Sequence, residues 1–161
     1  MRQKRQKKIE TMKYVMLFLF VVYIVLLLLY SSGSTKDFDK VAKKFESEMN
    51  SETLRKQSTQ AVKRYYGLNS ADFEGVFLYT SRDSISAEEI LIVKAKTDRQ
   101  IQGVRDAIWN RIESRKDSFE NIAPDQLKVL DKAQIIVRGR YVFFVVSKDA
   151  KKYSTLFTNS L

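Results

Sequence analysis

The sequence predicts an α+β domain, with antiparallel β-hairpins packed against helices in the order ααββααββα, behind one N-terminal transmembrane helix. Three observations carry this reading. An uncharged run from Tyr14 to Tyr30, YVMLFLFVVYIVLLLLY, follows a thirteen-residue leader that holds six Lys or Arg and one acid. Beyond it, apolar residues recur at helical spacing in some segments and as short Val-, Ile- and Phe-rich runs in others. The strand-like runs arrive in pairs between helices, without the regular βαβ alternation that marks a parallel sheet.

The uncharged run makes a helix of roughly 25 Å at about 1.5 Å per residue, and Met12, the stem of Lys13 and Ser31 to Gly33 extend it toward a bilayer core. Lys13, Tyr14 and Tyr30 are the expected membrane-interface residues. The basic leader, against a balanced flank beyond the helix, places the N-terminus in the cytoplasm. The expected organisation is a basic cytoplasmic tail at 1–13, a membrane span at 14–32, a linker at 33–36 and an extracytoplasmic domain at 37–161. A removable secretory signal is the competing reading. Its apolar stretch would be shorter, and no Ala-x-Ala cleavage pattern follows the run.

In the outer domain, Ser34 or Thr35 can cap a helix starting near Lys36, with Phe38, Val41, Phe45 and Met49 on one face. A second stripe runs through Leu54, Ala61, Val62 and Tyr65 to Gly67. These stripes fit packing inside the domain, with a partner helix as the alternative. Glu74 to Tyr79 and Glu89 to Lys96 read as strands, the second covered on both faces. Asp98 opens a long helix carrying Ile101, Val104, Ile108 and Ile112, and Pro124 suits the first turn of a short one. Ile135 to Arg138 and Tyr141 to Ser147 flank Gly139 as a hairpin, turning at Arg138-Gly139 or Gly139-Arg140. A last helix carries Tyr153, Leu156 and Phe157.

Composition excludes several chemistries. With no histidine and no cysteine, the chain lacks Ser-His-Asp and Cys-His arrangements and the usual zinc ligands. Ser147-Lys148 would point to opposite sides of a strand, and the five glycines form no phosphate loop. Glycosidase chemistry needs only two carboxylates. Glu88 and Glu89 are adjacent and face apart, which leaves Glu74 with Glu89 as the pair to test. Asp37 and Asp39 lack the spacing of a calcium loop and suit a helix start. No catalytic, cofactor-binding or metal-ligating residue is assigned, and no cofactor is expected.

The formal charge of +10 divides between the leader and a mildly basic remainder, which argues against nucleic acid as a partner. Trp109 stands one position off the apolar stripe of its helix, and Tyr141 begins the last strand. These two are the candidate partner contacts, with core cover as the alternative for Trp109.

From Ala87-Glu88-Glu89-Ile90 onward, the chain resembles an uncharacterised family of cell-envelope domains of unknown function, common in Gram-positive clostridia and relatives. The resemblance covers about residues 70–161. Its carriers are the Glu-Glu-Ile strand opening, Arg111 with Ile112, Ser118-Phe119, Ala123-Pro124 and Gly139-Arg140-Tyr141-Val142-Phe143. Ile122 stands where that family tends to have an aromatic, and Arg140 where a turn Asn is usual. The resemblance implies a domain displayed behind a membrane or lipid anchor and carries no activity, cofactor or catalytic residue with it. The expected function is a non-enzymatic binding module, anchored in the bilayer by residues 14–32, for an unknown envelope protein or cell-wall component. The alternatives are an anchored carboxylate enzyme acting on wall polysaccharide, and a homo-oligomer assembled through Phe38 and Phe45.

Overall fold

The computed structural model describes residues 2–31, 36–50 and 52–161, with side chains for all of these except 2–11 and 28–31. The chain divides into two compact units, Met1–Gly33 and Ser34–Leu161. The described residues of the first form one helix, α1, Arg2–Ser31. Among the described residues, no helix is long and apolar enough to cross a membrane. This corrects the expected span at 14–32. The uncharged run covers about 25 Å where a hydrocarbon core is roughly 30 Å thick. Ser32 and Gly33, which were to extend it, lie outside the described residues, as do Ser34 and Thr35 of the linker. The inside–outside orientation rested on that span and has no other support in the structure.

The second unit is α+β, one five-stranded antiparallel sheet with helices on both faces. After α2 (Phe38–Glu48) come β1 (Leu54–Lys56), α3 (Thr59–Tyr66), a short 3-10 turn, β2 (Gly75–Ser81) and β3 (Glu89–Lys94). Then follow α4 (Arg99–Phe119), α5 (Pro124–Leu130), β4 (Gln134–Arg138), β5 (Tyr141–Val146) and α6 (Ala150–Ser160). The sheet order is β1-β2-β3-β5-β4, so β1 and β4 form its edges.

Alternation along the strands sorts the core into two layers. Leu78, Leu91, Val93, Val142 and Phe144 face α3, α4 and α5. Phe77, Tyr79, Ile90, Ile92, Phe143 and Val145 face α2 and α6. Val41 and Phe45 of α2 are fully buried in this second layer, and Phe45 packs edge-on against Phe77 and Phe143. The stripe that offered itself for self-assembly is therefore largely consumed inside the domain.

Local chemistry fixes the ends. Asp37 caps α2 by accepting the N–H groups of Asp39 and Lys40, so the helix starts at Phe38, two residues beyond the start expected near Lys36. Ser58 caps α3 in the same way. Asp98 makes no side-chain cap for α4; instead, Gln100 Oε1 accepts from the N–H groups of Lys96 and Thr97. Gly139, at φ 53°, forms a two-residue loop with Arg140 between the paired Arg138 and Tyr141.

Candidate functional site

Trp109 is half exposed, at 51%, on the side of α4 nearest the end of the sheet. It lines a groove of about 540 Å³ together with Arg105, Ile112, Leu130, Ile135 and Val137. The floor is apolar because Ile112 and Leu130 belong to the core, while Val137 on β4 stays 36% exposed. The rim is charged. Lys116 lies 3.3 Å from Glu113 and 3.8 Å from Asp131, whereas Arg105, one turn before Trp109, has no ion-pair or hydrogen-bond partner among the described residues.

The backbone of β4 completes this groove. The N–H of Ala95 donates to Arg140 O at 2.9 Å, which fixes which groups of β5 face β3. By alternation, Tyr141, Phe143 and Val145 bond to Arg138, Ile136 and Gln134 of β4. The N–H and C=O groups of Ile135 and Val137 therefore point outward, and no backbone or side-chain partner meets them among the described residues. An open strand edge thus runs beside an exposed tryptophan.

Of the two expected contacts, the structure brings only Trp109 to this surface. Tyr141 is fully buried, donates its hydroxyl to Lys36 O at 2.9 Å and stacks on Phe38. It lies on β5, between β3 and β4, so the strand edge expected near it belongs to β4 instead. Arg105, Ile135 and Val137 were missed. The four-residue step from Arg105 to Trp109 and the alternation of Ile135 with Val137 were the available signals. Lys13 and Tyr14 are exposed on α1, and the side chain of Tyr30 lies outside the described ones.

On the same face of the sheet, at the start of β3, Glu89 is buried and receives Arg111 at 3.0 Å and the Tyr66 hydroxyl at 2.6 Å. Burial, reinforced by the Glu89 charge, raises the Tyr66 hydroxyl well above its ordinary value. This leaves Glu89 engaged on both sides. Glu74 is no companion to it: the register pairs Thr80 with Glu89 and Gly75 with Lys94, which sets the two acids at opposite ends of β3. Five or six residues of strand separate them by about 17–20 Å, far beyond the reach of a glycosidase pair. Glu74 instead binds Lys94 at 2.6 Å and Arg140 at 2.7 Å. Among the described residues, no group of three acids could hold a metal ion.

Residues 46–147 match the model of a family described as a domain of unknown function, DUF4358. No curated protein and no solved structure matches the chain.

Proposed function

The chain belongs to the DUF4358 family, domains of unknown function, and with no activity to inherit we propose that it is a non-enzymatic binding module. Its partner would be an extended, acidic segment of another protein, laid along the outer edge of β4 with an apolar side chain under Trp109. One observation carries the reading: the outward backbone groups of Ile135 and Val137 lie beside a half-exposed tryptophan in a groove with an apolar floor and a charged rim. An added strand would satisfy those groups, and the groove would select alternate side chains. Charge complementarity favours an acidic segment because Arg105 has no anion beside it among the described residues. The resemblance to cell-envelope domains is the reason to look for that partner among envelope proteins. A wall polysaccharide would leave the strand edge unused.

Trp109 is the single tryptophan of the chain, so its fluorescence reports on this groove alone. A soluble peptide alternating Glu with Val should shift its emission to the blue in a saturable way, and the same pattern built with Lys should not. Val137→Pro should abolish the response, because proline removes an outward N–H while leaving the ladder bonds to β5 intact. Equal responses to both peptides, or an unchanged response in Val137→Pro, would dismiss strand addition.

A further inference from the structure

A second pocket, of about 200 Å³, opens on the same face of the sheet but toward its β1 edge, between the start of β3, the loop before it and α4. Its walls hold three guanidinium groups, those of Arg55, Arg111 and Arg115. Arg115 is set in place: its Nη2 donates to Ser86 O at 2.8 Å, and its plane sits 4.2 Å from the Phe119 ring. Its Nε is nonetheless buried and has no hydrogen-bond partner among the described residues. A buried donor left unsatisfied costs about 1–3 kcal/mol, so Arg115 is held in place against that cost.

The surroundings hold several donors that are not engaged. The hydroxyl oxygens of Thr80, Ser81 and Ser86 each accept a hydrogen bond, from Gln57, Asp83 N–H and Glu88 N–H, and donate none among the described residues. Arg55 has neither a carboxylate nor any other hydrogen-bond partner among those residues. Of the acids nearby, Glu89 is engaged on both oxygens by Arg111 and Tyr66, while Glu88 accepts from the Ser147 hydroxyl and Asp83 from the N–H of Ile85 on one oxygen each. Burial and the neighbouring Arg111 charge lower the Arg115 pKa, as expected of two guanidiniums set close together.

We propose that this pocket binds one carboxylate group, from a small organic acid or a peptide chain end, through the guanidinium groups of Arg55 and Arg115 and the hydroxyls of Ser81 and Ser86. A single negative charge fits better than a phosphate dianion, because Asp83, Glu88 and Glu89 also line the pocket. The site is separate from the groove at Trp109, and neither depends on the other.

The test is a titration of the full chain followed through arginine Nε resonances in proton–nitrogen spectra at constant ionic strength. Sodium acetate should move the Arg115 Nε signal to saturation, and sodium chloride should not. Arg55→Ala, an exposed change on an edge strand, should weaken acetate binding about tenfold, the loss expected of one charge-assisted contact. Arg115→Lys, which keeps the charge but lacks the planar guanidinium, should abolish saturable shifts in the remaining pocket signals. A short peptide with a free C-terminus binding more tightly than acetate, and its amidated form not binding, would identify a chain end; acetate alone binding would identify a small acid. No saturable shift, an equal response to chloride, tighter binding of inorganic phosphate, or unchanged affinity in Arg55→Ala would each overturn the proposal.

Discussion

Arg111 illustrates how much a single side chain can hold. Its guanidinium meets Glu89, which is 3% exposed, and lies over the Tyr65 ring at 4.4 Å. Removing it would leave a buried carboxylate facing only Tyr66, and an uncompensated buried charge costs about 3–5 kcal/mol. Arg111→Ala should lose that much in urea unfolding. Lys116→Ala, whose pairs with Glu113 and Asp131 are partly exposed, should change stability by less than about 0.5 kcal/mol. Equal costs would mean that the Glu89 pair is not the buried anchor its geometry indicates. Gly75 is the second sensitive position. A Cβ there would overlap the Phe38 ring, which the start of α2 lays across β2. Gly75→Ala should therefore cost about 1–3 kcal/mol by overpacking. Combining it with Phe38→Ala should recover part of the loss in the same measurement, since the clash would be gone.

Among the elements, β4 separates what was legible in the sequence from what was not. The hairpin was readable because Gly139 interrupts two β-branched and aromatic runs, and β3 was readable because Ile90 and Ile92 alternate with Leu91 and Val93 over two covered faces. The sheet order was not readable. Nothing local says that β5 pairs with β3 as well as with β4, and that non-local pairing turned Tyr141 from an expected edge contact into a core residue. β1 was missed for a different reason: it has three residues, and Leu54 fits the helical stripe that continues through α3. Trp109 could be placed one step off the buried face of α4, but whether β4 would cover it depended on tertiary packing. Its groove was therefore half legible. The edge assignment has its own consequence. In native-state hydrogen exchange, the amide of Ile136, bonded to Phe143, should be protected, whereas those of Ile135 and Val137 should exchange fast. Uniform protection along β4 would mean that its outer edge is already occupied.

For the domain as a whole, acids and tyrosines shared between elements set the pH range of stability. Glu46 on α2 accepts from the Tyr79 hydroxyl on β2 and pairs with Lys56 on β1 at 3.2 Å, so one carboxylate joins a helix to two strands. The hydrogen bond from Tyr79, aided by Lys56, lowers its pKa, and the hydrogen bond from Lys94 lowers that of Glu74. A carboxylate with a depressed folded pKa contributes stability above its unfolded pKa and loses it as pH falls through the folded value. Unfolding free energy should accordingly decline through and below the usual carboxylate range. The tyrosines act at the other end. Burial and the bond to Glu46 raise Tyr79 to about 12, and burial likewise raises Tyr66 and Tyr141 above their ordinary value of 10.0. A raised folded pKa contributes stability that is intact below the unfolded value and is lost as pH rises toward the folded one. Urea unfolding from pH 3 to pH 11 should therefore give a plateau across neutrality with a falling limb on each side. Glu46→Gln should shallow the acid limb, and Tyr79→Phe the alkaline one. An acid limb unchanged in Glu46→Gln would assign it to other carboxylates and deny Glu46 its role in joining α2 to the sheet.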